Sequence, residues 1–254
     1  MWRGKSISVV FPTYNEKDSI KSAIEDFFAT GLVDEIVVVN NNAAEGTDEE
    51  VQGTNAVLVH EARQGYGYAI QRGFEVVSGD YIIVAEPDGT FSGRDVLKLV
   101  AYAEDCDVVY GTRTHREFIW AGANMGRPLK WGNYLAAKLA EVLFNASTLS
   151  DVGCTMRLLS RPALQEMQPH FTIGGNAFGL EMMLISLMLG QRVVQIPLNY
   201  TKRVGTSSVT GMPAKTVALG LRMIWLILDC RVRSYLGLHS ARALSSRPVR
   251  TRGK

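Results

Sequence analysis

SGDYIIVAEPDGTF, from Ser78 to Phe91, sets an uncharged run rich in β-branched residues against a turn that carries two acids. Tyr81 to Ala85 hold no charge, so the run reads as a strand buried on both faces. Glu86 and Asp88 follow where that strand ends, and in extended backbone side chains two residues apart leave on the same side. Pro87 fixes one backbone angle between them, and Gly89 permits a sharp exit. Open α/β sheets bind ligands beyond the carboxyl ends of their strands. Paired hard oxygens placed there suit Mg²⁺ or Mn²⁺ carrying a diphosphate. An isolated E-x-D also makes a plain solvated turn, so the surrounding chain has to decide.

Working outward, Ser6 to Phe11 reads as a first strand, with Pro12 to Glu16 as the loop beyond it. Asp18 or Ser19 is placed to cap a helix through Phe28, whose Ile20, Ile24, Phe27 and Phe28 share a face. Glu35 to Asn40 and Ala56 to His60 are further strands, and Gly67 to Val77 is helical. Strands alternating with helices at this spacing predict a parallel, doubly wound sheet. Its loops at 12–16, 40–47 and 86–91 would gather along one edge. Arg63-Gln-Gly-Tyr-Gly-Tyr-Ala69 lacks the third glycine of a dinucleotide fingerprint, because Ile70 stands there. These glycines either let backbone approach a ligand, with Arg63 on phosphate, or form a tight turn.

Beyond a helix from about Gly93 to Glu104 and a strand near Val108 to Tyr110 come Gly111-Thr-Arg113 and a polar stretch to Lys130. Helical period resumes from Lys130 to Phe144. Asp151-Val-Gly-Cys-Thr-Met-Arg157 then places an acid and a base six residues apart, as a surface ion pair or a site. Gly179 to Leu189 reads as an apolar helix with Glu181 near its start, where it either stabilises the helix dipole or faces a ligand. A last strand, Val193 to Tyr200, leads into the basic loop Thr201 to Ser208, suited to an anion.

At 254 residues, 46% hydrophobic and 20% charged, the chain has material for one large α/β domain with an appendage. Cys106, Cys154 and Cys230 show no metal or redox spacing and read as reduced core thiols of a cytosolic protein. Met1 to Lys5 is too short for a signal peptide. The net charge of +2 conceals +10 from Lys202 onward against −8 in the rest. An acidic body without an aromatic platform beside its basic residues argues against nucleic acid; a basic tail beside an apolar helix suits an anionic membrane surface.

That helix is Ala214 to Leu236. Lys215, Arg222 and Asp229 recur every seven residues as a narrow polar stripe among apolar side chains. The stretch between Lys215 and Asp229 spans about 20 Å, short of the roughly 30 Å of hydrocarbon in a bilayer. It is expected to lie on a membrane surface, or else to pack against the body or a dimer partner. The tail after it reads as disordered. The expected division is 1–211, 212–238 and 239–254.

VVFPTYNE, VVVNNNAAEGT, RQGYGYA, GDYIIVAEPDGTF, GTR, DVGCTMR and IPLNYTKRVGTSS, in this order over residues 6 to about 210, resemble the family 2 glycosyltransferases of the GT-A fold. The likeness is greatest to the polyprenyl-phosphate branch, which includes the dolichyl-phosphate mannose synthases. The resemblance implies a mostly parallel, Rossmann-like sheet flanked by helices, and an inverting, metal-dependent transfer from a UDP- or GDP-sugar to polyprenyl phosphate. A saccharide or natural-product hydroxyl is the alternative acceptor, and a non-catalytic nucleotide-binding or membrane-tethering module a further one. Pro12, Tyr14 and Glu16 would hold the nucleoside, and Asn41 stands where the family usually has an aspartate facing the base. Arg63 and Gly65 would border the donor. Glu86 and Asp88 would bear the Mg²⁺ or Mn²⁺ and diphosphate, while Arg113, Arg127, Asp151, Arg157 and Arg203 would line the acceptor side. A hydroxyl acceptor would need a base, for which Asp151 is the candidate. The resemblance also implies a cytoplasmic protein, peripheral on a membrane, with a membrane partner subunit or second copy left open.

Overall fold

The computed structural model describes residues 1–123, 125–205 and 213–236, and of 127, 128 and 213–217 the backbone alone. The order is β1 (Ile7–Thr13), α1 (Lys17–Ala29), β2 (Glu35–Asn40), α2 (Thr47–Gln52), β3 (Val57–His60), α3 (Tyr66–Val76), β4 (Tyr81–Val84), α4 (Val96–Ala103) and β5 (Val108–Thr112). There follow α5 (Arg127–Phe144), β6 (Arg157–Ser160), α6 (Arg161–Met167), α7 (Phe178–Met188), β7 (Val193–Pro197) and α8 (Pro213–Tyr235). The strands form one seven-stranded sheet in the order β3-β2-β1-β4-β6-β5-β7.

Alternate residues of the central strands feed two cores, one on each face. Val9 and Phe11 of β1 with Ile83 of β4 pack under Ile20, Ile24 and Phe27 of α1 and Leu99 of α4. Val10, Ile82 and Val84 pack on the opposite face against Ile70 and Phe74 of α3 and Met182 of α7. Each fully buried side chain of this kind contributes about 1.5–3 kcal/mol. The centre of the sheet is therefore firmly placed, whereas Val57 at the β3 edge stays 45% exposed.

The sheet is mostly parallel, as the resemblance implies, with β6 running antiparallel between β4 and β5. This four-residue strand opens with a buried arginine, Arg157, where an apolar pattern gives no warning. Neither Asp18 nor Ser19 caps α1; the cap position is Glu16, and the Ser19 hydroxyl donates to Pro87 O at 2.7 Å. That bond ties the start of α1 to the acid-bearing turn after β4.

Chain order reverses at β1, which has β2 on one side and β4 on the other. Loops leaving the carboxyl ends of β1 and β4 therefore part in opposite directions and open a crevice. On the far side, α8 packs against α5 and α7, burying Leu226, Ile227 and Cys230 while Trp225 remains 62% exposed. The helix thus both packs on the body and presents an apolar outer face. Among the described residues no helix is long and apolar enough to cross a membrane. The tail 239–254 and the end of the basic loop, 206–208, lie outside the described residues.

Candidate active site

The crevice is a cleft of about 960 Å³. Pro12, Tyr14 and Glu16 line one wall, as expected of the loop after β1. Glu16 shapes that loop from within: one carboxylate oxygen accepts the backbone N–H groups of Tyr14 at 2.7 Å and Asn15 at 2.8 Å.

Asn41 also lines the cleft, but it is buried and its amide is spent on the chain. Its Nδ2 donates to the carbonyls of Glu61 and Arg63, both at 2.8 Å, and its Oδ1 accepts the Gly65 N–H at 2.8 Å. An aspartate could not donate those two bonds, so the asparagine is explained by the 61–65 loop it pins. Arg63 is not among the cleft residues. It forms a two-point pair with Glu61, at 3.0 and 2.8 Å, and lies over the Tyr68 ring. Gly65 does border the cleft, but the glycines of this loop admit chain, not ligand. A Cβ at Gly65 would come 2.3 Å from Gly174 O, and one at Gly67 2.4 Å from Ile173 O.

At the end of β4, Glu86 and Asp88 lie on the same side, beneath one arginine. Arg203 Nη2 is 2.7 Å from Glu86 Oε2 and also contacts Asp88 Oδ2, with Nη1 3.8 Å from Glu16. The loops are zipped together, Val204 N–H donating to Asp88 O at 2.8 Å and Thr201 N–H to Thr90 O at 2.9 Å. Gly89, at φ +78°, makes the turn that allows this. Burial, and then the neighbouring Asp88, push the Glu86 carboxyl up to about 8 in spite of Arg203. Burial works against charge on Arg203, but Glu86, Asp88 and Glu16 prevail and hold its pKa above the usual value. Arg203, expected on the acceptor side, therefore sits on the two acids that follow β4.

The residues present fit a divalent cation. Asp88 is fully buried, and its Oδ2 has no well-directed hydrogen bond, only the adjacent guanidinium. The place thus already accommodates a positive charge. Among the described residues no cluster of three or more His, Cys, Asp or Glu is formed. A site of two carboxylates suits an ion that takes its other ligands from a diphosphate and water.

Further in, Asp151 is paired with Arg113, not with Arg157. Asp151 accepts from Arg113 N, Nε and Nη2 at 3.0, 2.9 and 3.0 Å, and from Gly153 N at 2.9 Å. Burial alone would raise its pKa, but Arg113 outweighs burial and leaves it below the usual carboxylate range. It is fully buried, outside the cleft lining and accepts four hydrogen bonds, so in this structure it offers no free oxygen to the cleft. Arg113 itself lines the cleft, over the Tyr200 ring at 5.2 Å.

Arg157 lines the same region almost wholly buried. It donates to carbonyls only: Gly179 O at 2.6 Å, Thr155 O at 3.2 Å and Cys154 O. Among the described residues no carboxylate lies within ion-pair distance of it, which leaves a desolvated positive charge facing the cleft. Arg127 opens α5, and its side chain lies outside the described residues. Glu181 faces no ligand; it accepts the N–H groups of Thr172 and Ile173, both at 3.0 Å, and so holds the 171–175 loop in place.

Past Arg157 the lining turns apolar, with Leu135 and Leu139 of α5, Leu180 of α7, and Leu219, Met223 and Ile224 of α8. Motif reading had attached no role to this wall, nor to Tyr66 and Thr155. Only the packing of α8 onto α5 assembles it.

Residues 8–168 match the sequence profile of Glycosyl transferase family 2. The chain is 30% identical over 217 residues to the low-salt glycan biosynthesis hexosyltransferase Agl6 of Haloferax volcanii, covering 82% of this chain but 51% of that protein. It is 27% identical over 231 residues to the dolichyl-phosphate hexose transferase of the same organism, covering 89% of this chain and 96% of that one. In fold it is similar to glucosyl-3-phosphoglycerate synthase of Mycobacterium tuberculosis, solved with Mn²⁺, UDP-glucose and phosphoglyceric acid. There the TM-score is 0.67 and the identity 21%, covering 90% of this chain and 80% of that one. Sheet order, the acids at the β1/β4 crevice and the match over most of the body agree, and the chain belongs to glycosyl transferase family 2.

Proposed function

We propose that this protein transfers a hexose from a UDP- or GDP-sugar to a polyprenyl phosphate at a membrane surface. The observation that carries this reading is that one cleft is lined by the loop after β1, by Glu86 of the acid pair, by Arg113 and Arg157, and by apolar side chains of α5, α7 and α8. A lipid phosphate offers an anion joined to a hydrocarbon chain. The dolichyl-phosphate hexose transferase among the relatives supports the same acceptor class.

Glu86 and Asp88 would hold the cation and, through it, the diphosphate. When bound, a divalent ion there offsets the charge that builds on the departing nucleoside diphosphate. Because Arg203 covers Asp88, donor binding requires its guanidinium to move off the acids, where it can meet phosphate oxygens instead. Arg157 and Arg113 would orient the acceptor phosphate. Its oxygen is a competent nucleophile near neutral pH, with a second pKa of about 6, so no base is required. Attack from the face opposite the leaving group would invert the anomeric carbon. The locked state of Asp151 counts against its serving as base for a hydroxyl acceptor. The exposed outer faces of α5 and α8, with Trp131, Leu221 and Trp225, would rest on the bilayer beside the basic chain that follows.

A panel of UDP- and GDP-hexoses with Mn²⁺, offered a short polyprenyl phosphate, phosphoglyceric acid or a free sugar, tests this by mass spectrometry of products. Hexosyl polyprenyl phosphate is expected, and transfer confined to either water-soluble acceptor contradicts the reading. In the same assay Met223→Glu, which places a charge in the groove, should raise the KM for polyprenyl phosphate by about tenfold or more. Affinity for the nucleoside diphosphate should be unchanged, and a parallel loss of both would count against a groove for lipid.

A further inference from the structure

We infer that the hydroxyls of Tyr66 and Thr155 hold the transferred sugar and set which hexose the protein accepts. This rests on the donor-site reading above and adds to it two residues, inside RQGYGYA and DVGCTMR, to which the resemblance assigns no role.

Both side chains line the cleft, yet Tyr66 Oη and Thr155 Oγ1 are buried atoms without a hydrogen-bond partner among the described residues. Buried hydroxyls are ordinarily paired, and an unpaired one costs free energy that a fold has no general reason to bear. Two of them in one cleft indicate a ligand with hydroxyls of its own. Their positions say which part of the ligand. Tyr66 lines the same cleft as Glu86 and Arg157 and follows Gly65, which borders it. Thr155 is joined to Arg157 through its carbonyl, at 3.2 Å from Nε. Tyr66 thus shares the cleft wall with Glu86, where the leaving diphosphate would be held, and Thr155 adjoins the arginine that would hold the incoming anion.

In a displacement at an anomeric carbon, the group between leaving group and nucleophile is the sugar ring. Its rim is made of neutral hydroxyls, each able to donate and accept, and neutral hydroxyls of the protein match them without adding charge between two charged subsites. A site built to bond a sugar hydroxyl rejects a donor that lacks it, because the protein hydroxyl is then left unpaired again.

The test uses Tyr66→Phe and Thr155→Val, each of which keeps the shape of the side chain and removes its oxygen. Full-length wild type and variants are compared for UDP and GDP binding with Mn²⁺, and for kcat/KM with the parent nucleotide-hexose and its monodeoxy analogues. Each variant should lose about 5- to 20-fold in kcat/KM for the parent donor while binding the sugar-free nucleoside diphosphate as wild type does. Each should also lose the wild type's discrimination against one deoxy position, a coupling that a role in folding alone would not produce. Unchanged discrimination in both variants, or nucleoside diphosphate affinity falling in step with kcat/KM, overturns the assignment. A wild type that binds neither UDP nor GDP overturns the donor-site reading itself, and is told apart by failing before any variant is compared.

Discussion

Asp88→Asn is expected to lower kcat by about 10²–10³-fold and to weaken Mn²⁺ binding, measured by electron paramagnetic resonance in the presence of nucleoside diphosphate. The reason lies in how little else is available at the site. Asp88 is fully buried, one oxygen accepts the Thr90 N–H at 2.9 Å, and the other faces the Arg203 guanidinium. An asparagine keeps the shape and the first of these bonds but removes the charge that answers either a guanidinium or a cation. Glu86 alone leaves the cation a single protein carboxylate, and burial still works against the charge on that one. A folded variant with wild-type Mn²⁺ affinity and a kcat within about threefold of wild type would remove the acid pair from the account.

The second large effect is on stability. Asp151→Asn should destabilise the protein by about 3–5 kcal/mol, because it strands Arg113 without its buried counter-ion while that guanidinium is still held against Gly153 and Tyr200. For a chain of this size that corresponds to a fall in Tm of roughly 6–20 °C, followed by calorimetry. The same pair predicts a pH signature. A carboxyl whose pKa is lower in the folded state stabilises it above the unfolded value of about 3.9, and that contribution is lost as pH falls through the folded value. Asp151 is shifted in that direction, so the acid limb of wild-type stability should be shallower in the variant. Below its own Tm, the variant should keep measurable transfer to a lipid phosphate. A variant as stable as wild type but inactive would return Asp151 to the role of base.

What could be read in the chain and what could not divides along a physical line. The β1, β2 and β4 strands were legible because burial on both faces leaves uninterrupted apolar runs, and Glu86 and Asp88 because period-two geometry puts them together at a strand end. Pairings made across the sheet were not. Asp151 lies six residues from Arg157 but bonds Arg113, 38 positions earlier, and nothing in the spacing distinguishes the two. Asn41 stands at a motif position associated with the base, yet four polar valences spent on the 61–65 loop decide its identity. The resemblance assigns Arg203 to the acceptor side, whereas the zipper between residues 88–90 and 201–204 carries it onto the acids. Tyr66 carried one usable signal, an aromatic hydroxyl inside a glycine loop at the cleft. Thr155 carried none. The apolar wall between α5 and α8 depends on how two distant helices pack, which hydrophobic period alone does not specify.

The account stands or falls on whether the acids after β4 receive a cation with the diphosphate. Crystals soaked with Mn²⁺ and the sugar nucleotide, with data collected above and below the manganese absorption edge, give the most direct answer. An anomalous peak shared by Glu86, Asp88 and diphosphate oxygens, with the Arg203 side chain displaced from Asp88, is the predicted result. Nucleotide bound with no peak there, and Arg203 still on Asp88, would contradict it.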